Sequence, residues 1–178
     1  MRLQLRYYGD PILRKRASDV REFDDALREL AEDMIATMRR EAGVGLAATQ
    51  VGIEKRVLVA LQMENPEDSE APEIVMVNPE VLDRSPDTWI YEEGCLSIPG
   101  IRGDVTRPEG IRVRYQDLHG KSHVIDVDGM FARVLQHEID HLDGKLFIDY
   151  LSTGEKTLLK TRLKKIAEKY ASQQAPPR

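Results

Sequence analysis

The chain has 178 residues, is 41% hydrophobic and 32% charged, and carries a net charge of −5 at pH 7. This balance suits one soluble globular domain spanning 1–178 with a flexible tail at about 173–178, and it argues against a general binder of DNA or other nucleic acid. A single cysteine excludes an internal disulfide, and no apolar run reaches membrane-spanning length or forms a secretory leader, so the expected setting is cytoplasmic.

Asp10-Pro11 opens a short turn or helical piece, with Ile12 and Leu13 able to pack inward. Asp24 or Asp25 then serves as an N-cap. From there Leu27, Leu30, Ala31, Met34, Ile35 and Met38 recur at helical spacing, which predicts an amphipathic helix ending at Gly43. The methionines in that stripe are read as core.

Gly43 to Gly52 reads Gly-Val-Gly-Leu-Ala-Ala-Thr-Gln-Val-Gly. It lacks the lysine and spacing of a phosphate loop. Its small residues allow close backbone approach, either as a plain turn or as an edge that accepts an extended peptide. Gln50 is the one side chain here with an amide to donate, although such a residue more often faces solvent.

Arg56 to Leu61 reads as a buried strand. The acidic, proline-bearing stretch from Glu64 to Glu73 reads as a surface loop. Ile74 to Val77 reads as a short strand stopped by Asn78-Pro79, and Thr88 to Tyr91 as another that leads into Glu93-Gly94-Cys95-Leu96-Ser97. Gly110 to Gln116 and Ser122 to Val127 flank a turn and predict a β-hairpin. Its histidines, His119 and His123, have no carboxylate or cysteine at ligand spacing and read as ordinary surface residues.

Met130 to Asp143 contains no proline or interior glycine, and Gly144 stands where a left-handed cap belongs. Within this predicted helix lies His137-Glu138-Ile139-Asp140-His141, an H-E-x-x-H pattern. Residues i and i+4 share one helix face, so both imidazoles can meet one ion. Glu138, beside the first histidine, can reach a water at that ion without binding the ion itself, as metal-assisted hydrolysis requires. Such a pair also arises by chance, but two of only four histidines stand here.

Lys145 to Leu151 is expected to be a short extended segment. Ser152 to Glu155 forms a capping box, and Leu159, Leu163, Ile166 and Tyr170 mark a last helix. The order predicts an α+β fold: mostly antiparallel β-sheets packed around the central H-E-x-x-H helix, with an N-terminal and a C-terminal helix.

A catalytic site of this kind needs three protein ligands and one open position. The third ligand could be a distant carboxylate, another histidine or Cys95. A lone cysteine is usually a small buried hydrophobe, but a thiolate suits a borderline metal, which puts Cys95 slightly ahead.

Taken together, Gly43 to Gln50, Glu93-Gly94-Cys95-Leu96-Ser97 and Gln136 to His141 resemble, in order and spacing, the three motifs of peptide deformylases. These enzymes remove the N-formyl group from the initiator methionine of nascent chains. Gly144 to Tyr150 and Asp10-Pro11 extend the resemblance over nearly the whole chain. It implies that Cys95, His137 and His141 bind one divalent metal ion, typically Fe(II), with Zn, Ni or Co as substitutes. It implies Glu138 as general base and acid, and Gln50 with the Leu96 backbone N–H as stabilisers of the oxyanion.

The resemblance further implies an extended formyl-methionyl peptide lying along Val44-Gly45 with Gly94 opposite. The methionine pocket would be walled by Val44, Tyr91, Met130, Val134, His137 and the aliphatic stem of Glu93. Arg102 would stand at the mouth of the cleft, with a solvated surface charge as the alternative. Asp140, next to the second histidine, is expected to orient a partner or cap a charge, with plain helix solvation as the alternative. The basic face of the last helix, with Lys156, Lys160, Arg162, Lys164, Lys165 and Lys169, offers a contact for ribosomal RNA. Two rivals remain: an aminopeptidase or endoprotease sharing the H-E-x-x-H logic, and a non-catalytic metal-binding relative.

Overall fold

The structure, a computed structural model, describes residues 3–174. The fold is α+β, as expected, and its first helix shows how local chemistry sets an element's limits. α1, Asp25–Arg40, starts where the Asp24 side chain accepts the Leu27 N–H at 3.0 Å. Leu27, Ala31, Met34 and Met38 are buried along one face. The helix stops before Gly43, because Ala42 adopts a positive φ of 54° and the Gly43 N–H closes on the Met38 carbonyl at 2.9 Å. Upstream, Asp10 caps a 3-10 turn, Pro11–Arg14, that buries Leu13.

β1, Gly45–Ala47, and β2, Val57–Leu61, are buried throughout and pair antiparallel. β3, Glu73–Arg84, is longer than expected, because Asn78-Pro79 does not stop it. Asn78 takes a φ of 51° within a register shift between Val77 and Glu80. Its amide side chain then pairs with the Val20 backbone in both directions, at 2.8 and 2.9 Å. A bulge thus absorbs the proline that would otherwise break the ladder.

β4, Thr88–Cys95, pairs with β5, Ile98–Pro108, as a separate two-stranded sheet. β5 has no counterpart among the expected elements, and it runs through Pro99, Gly100 and Gly103, residue types of high turn propensity. β6, Gly110–Gln116, and β7, Ser122–Asp128, form the expected hairpin. The larger sheet runs β1-β2-β3-β6-β7, leaving β1 at one edge.

α2, Gly129–Leu142, lies between the two sheets. Ala132, Leu135, Ile139 and Leu142 pack into the larger core, together with α1 and the five-stranded sheet. Its C-terminal carbonyls are tied down on three sides. Ala17 N–H and Arg56 Nη1 reach Leu142 O at 2.8 and 3.1 Å, and Thr49 Oγ1 reaches His141 O at 3.3 Å. Arg56, itself buried, also pairs with Asp143 at 2.9 Å. These bonds satisfy orphan carbonyls and fix the helix end that carries the second histidine.

Residues 145–151 do not stay extended. Asp149 accepts the Leu146 N–H at 3.0 Å and folds Phe147–Tyr150 into a 3-10 turn, which buries Phe147 and Ile148. α3, Thr153–Lys169, begins with the expected Ser152/Glu155 capping box. Its Leu163 and Ile166 join Ile98, Ile101 and Phe147 in a smaller second core. The expected loose tail falls mainly on residues 175–178, which lie outside the described residues. Gln173 ends a 3-10 turn, Ala171–Gln173, and its carbonyl accepts from Arg6 Nη1.

Candidate metal centre

His137 and His141 stand one turn apart on α2, with ring centroids 5.0 Å apart. Cys95, at the end of β4, brings its Sγ to 3.2 Å from His141 Nε2. The three ligand atoms of Cys95, His137 and His141 all lie within 4.8 Å of one another. One soft sulfur and two imidazoles form a donor set for a borderline divalent ion. Geometry thus selects the cysteine over any carboxylate as the third member.

A buried cage of charge fixes the first histidine. His137 Nδ1 meets Glu93 Oε1 at 2.9 Å, which leaves Nε2 for the cluster. Arg107 grips the same carboxylate through two nitrogens at 2.7 and 3.0 Å, and Arg133 Nη1 adds a third contact at 2.5 Å. Arg107 reaches on to Asp140 at 2.8 Å, and the Tyr150 hydroxyl donates to Asp140 at 2.7 Å. Burial alone would raise the Glu93 carboxyl, but the hydrogen bonds from His137 and Arg107 outweigh it and hold the group at about 2.

These contacts revise one expectation. Glu93 is more than an aliphatic wall: it is the anion that orients His137. Asp140 pairs with the Arg107 charge and with Tyr150, in place of plain solvation. Arg107, Arg133 and Tyr150 had no assigned role in the sequence reading. Arg133 left one trace, since it stands four residues before His137 on the same helix face. Arg107 left none, because it sits in the unrecognised strand β5.

Glu138 sits apart from this cage. Glu138 is buried, and its Oε2 has no hydrogen-bond partner among the described residues. Burial raises its carboxyl to about 7 despite the opposing charge of His137. A carboxyl at that value can exchange a proton near neutrality. Burial, then the neighbouring His137 charge, pushes His141 well below its ordinary value, which favours the neutral, ligating imidazole. For His137, hydrogen bonds to Cys95 and Glu93 overcome burial and raise the value. A proton and a cation therefore compete for its free nitrogen.

Gln50 is buried in a 3-10 turn, Ala48–Val51, directly after β1. Its Oε1 accepts the Ala47 N–H at 2.9 Å, so Nε2 must face the cluster. That nitrogen lies 3.2 Å from Ser97 Oγ and 3.5 Å from Cys95 Sγ. Two glycines let the walls close. A Cβ on Gly45 would stand 2.8 Å from Glu138 Oε1, and one on Gly43 would stand 2.8 Å from Leu96 Cδ1.

One cleft of about 640 Å³ gathers the sequence-derived residues. Gln50, Cys95, Leu96, His137 and Glu138 line one end of it. Val44, Gly45, Tyr91, Glu93, Gly94, Met130 and Val134 line it as well, and His141 is buried behind. Arg133 belongs to the same wall, with its guanidinium 4.6 Å from the Trp89 ring and 5.6 Å from the Tyr91 ring. Arg102 reaches the mouth but is engaged by Glu92, at 2.8 Å to its carboxylate and 3.1 Å to its carbonyl. The Val44 carbonyl is taken by the Leu61 N–H at 2.8 Å, so an added peptide must use the opposite side of β1. His123, read as an ordinary surface residue, meets Asp117 at 2.7 Å, well away from this cluster in the β6–β7 hairpin.

The polypeptide deformylase family model matches residues 2–157. A peptide deformylase of Bartonella tribocorum is 47% identical over 166 residues, covering 93% of each chain. Among solved structures, a Plasmodium falciparum peptide deformylase superposes with a TM-score of 0.86 at 35% identity, covering 97% of this chain and 100% of that one. An Acinetobacter baumannii class I type b peptide deformylase with Met-Ala-Ser bound gives 0.79 at 41% identity, over 85% of this chain and 99% of that one. With its motifs gathered in one cleft and its whole length so matched, this chain belongs to the peptide deformylase family.

Proposed function

We propose the following division of labour for the removal of the N-formyl group from newly made polypeptides, the reaction of this metalloenzyme family. Cys95, His137 and His141 hold one divalent ion, and the thiolate with two imidazoles suits Fe(II), with Zn, Ni or Co able to substitute. When bound, the ion supplies Lewis acidity, which polarises the formyl carbonyl and makes a neighbouring water more acidic. The observation that carries this reading is the three-donor cluster beside a buried carboxylate with an unpartnered oxygen.

Glu138 takes a proton from the attacking water as its oxygen bonds to the formyl carbon. The formyl oxygen gains charge as that carbon becomes tetrahedral. Gln50 Nε2 exchanges its long contact to Cys95 Sγ for this oxygen, while Ser97 Oγ keeps the amide in place. The Leu96 N–H is the second donor, and losing one such donor typically costs ~3 kcal/mol in the barrier. Glu138 then returns the proton to the methionine nitrogen as the C–N bond breaks, releasing formate and a free amine. Val44, Tyr91, Met130, Val134 and the Arg133 wall receive the methionine side chain. Gly45 and Gly94 leave room for the extended backbone, and Arg102 stands at the exit.

Formate release from formyl-Met-Ala-Ser by anaerobically purified protein, with metal content measured on the same sample, tests this reading. Rapid release with about one ion per chain supports it. A metal-loaded sample inert on this peptide but active on unblocked Met-Ala-Ser would replace it with an aminopeptidase.

Cytoplasmic residence and a ribosome contact belong to the same proposal. Among the described residues no helix is long and apolar enough to cross a membrane. The six basic side chains of α3 are all exposed. Salt-sensitive co-sedimentation with ribosomes, lost when these lysines become glutamate, supports the contact, and unchanged binding removes it.

A further inference from the structure

The free edge of β1 sets the direction in which a peptide can lie. Leu46, Ala47 and Ala48 are fully buried, so a chain paired on that edge cannot continue past them. Ala42 and Val44, at the other end, are exposed. A strand that places its first residue beside Gly45 must therefore run antiparallel, past Val44 and Gly43 towards Ala42 and Glu41. At ~3.3 Å per residue, its fourth residue arrives opposite Ala42.

The cleft does not end there. A second hollow of about 470 Å³ shares Leu5, Tyr7 and Glu41 with the catalytic cleft and extends it to Leu3 and Gln173. The wall between them is firmly held. Tyr7 stacks on Tyr170 with ring centroids 3.7 Å apart. The flanking Arg6 and Tyr8 N–H groups bond to Gln50 O at 2.7 Å and Ser97 O at 2.8 Å. The one carboxylate facing both spaces, Glu41, is engaged by Arg40 at 2.8 Å. Leu3, Leu5 and the Tyr7 ring supply the apolar part of the second hollow's lining, beside Gln4, Arg40 and Gln173.

We propose that this second hollow is a subsite for the fourth and following residues of the substrate, and that it takes apolar side chains. The inference rests on the deformylase reading and extends it from the formyl-methionine to the emerging chain.

Three peptides test it: formyl-Met-Ala-Ser, the same peptide extended by Leu-Leu-Leu, and the same extended by Asp-Asp-Asp. In the wild-type protein the leucine extension is expected to lower KM roughly five- to tenfold with kcat unchanged, the scale of partly burying one or two apolar side chains. The aspartate extension should gain nothing. Leu3→Asp, remote from the catalytic groups, should abolish the leucine gain while tripeptide kinetics stay normal, which also shows that the variant folds. Tyr170→Ala provides a second test of the same wall. Equal kinetics for the tripeptide and leucine hexapeptide, or a gain that survives both variants, overturns the proposal. Tripeptide turnover is scored first: its absence in the wild-type protein removes the underlying reading, whereas turnover without a length effect removes the subsite alone.

Discussion

Two histidine–carboxylate pairs stand in this molecule at nearly the same distance. His137 Nδ1 lies 2.9 Å from Glu93, and His123 Nε2 lies 2.7 Å from Asp117. Their surroundings differ. Glu93 is buried and clasped by Arg107 and Arg133. Asp117 sits on the β6–β7 turn and takes the backbone N–H groups of His119 and Lys121, at 2.8 and 3.1 Å. The other nitrogen of His137 faces Cys95 and His141, whereas the His123 ring lies against Tyr115, 5.2 Å away. Distance alone does not separate an orienting pair from a turn-closing one. Burial and the carboxylate's remaining partners do. In a low-dielectric cage with fixed donors the carboxylate dictates how the imidazole points. At the surface, water competes for the same bond.

The widest gap between the two regions should open at Glu138, the buried acid that no cage neutralises. Glu138→Gln is expected to keep its metal and lose about a thousandfold in formate release, within the range for a general acid–base. Metal analysis and single-turnover kinetics on one sample check this, and near-normal turnover would end the general-base assignment. Cys95→Ser comes next and should behave differently, with metal content and activity falling together. Full occupancy with unchanged kinetics would take Cys95 out of the site.

The direct comparison is Glu93→Gln against Asp117→Asn. The first removes the anion that fixes His137 and leaves two buried guanidinium groups without it. Metal affinity should fall by about 10- to 100-fold, as for other groups that hold a ligand in place. The second should leave metal affinity and turnover unchanged and lower the melting temperature only slightly. Competition with a chelator reads both. Equal effects from the two changes would mean that burial is not what sets them apart.

The sequence showed the candidate ligands but not their support, and the reason is physical. His137 and His141 are local, since one helical turn relates them and the periodicity around them marks the helix. Cys95 and Gln50 are distant in sequence, and chemistry left the third ligand open until their motifs were matched to the family. The Arg107–Glu93–Arg133 cage joins β5, β4 and α2, and its members pair at separations that no local pattern encodes. β5 itself was hidden by Pro99, Gly100 and Gly103, whose turn propensity is overridden by pairing with β4. Asn78-Pro79 misled in the same way, because the bulge that tolerates it depends on Val20, far away in the chain. The His123–Asp117 pair left no signal either, because its two members lie across a turn from each other.

The smallest expected effect belongs to the surface pair and concerns pH. The hydrogen bond from His123 is the main influence that lowers the Asp117 carboxyl from 3.8 to about 2, and the His119 and Lys121 N–H groups assist against a desolvation that opposes it. A carboxyl depressed in the folded state contributes stability that is complete above its unfolded value and fades as pH falls through its folded one. The window for Asp117 therefore runs from about pH 4 down to about 2. The side chain is partly exposed, at 30%, so salt should screen much of the effect. Carboxyl NMR titration should place the Asp117 midpoint well below that of an ordinary aspartate, and His123→Ala should move it up. A normal midpoint in the wild-type protein would mean that the His123 bond does not persist in water. The contrast with His137 would then be sharper still, because the same two side chains would make a lasting pair only where the fold excludes solvent and supplies a second cation.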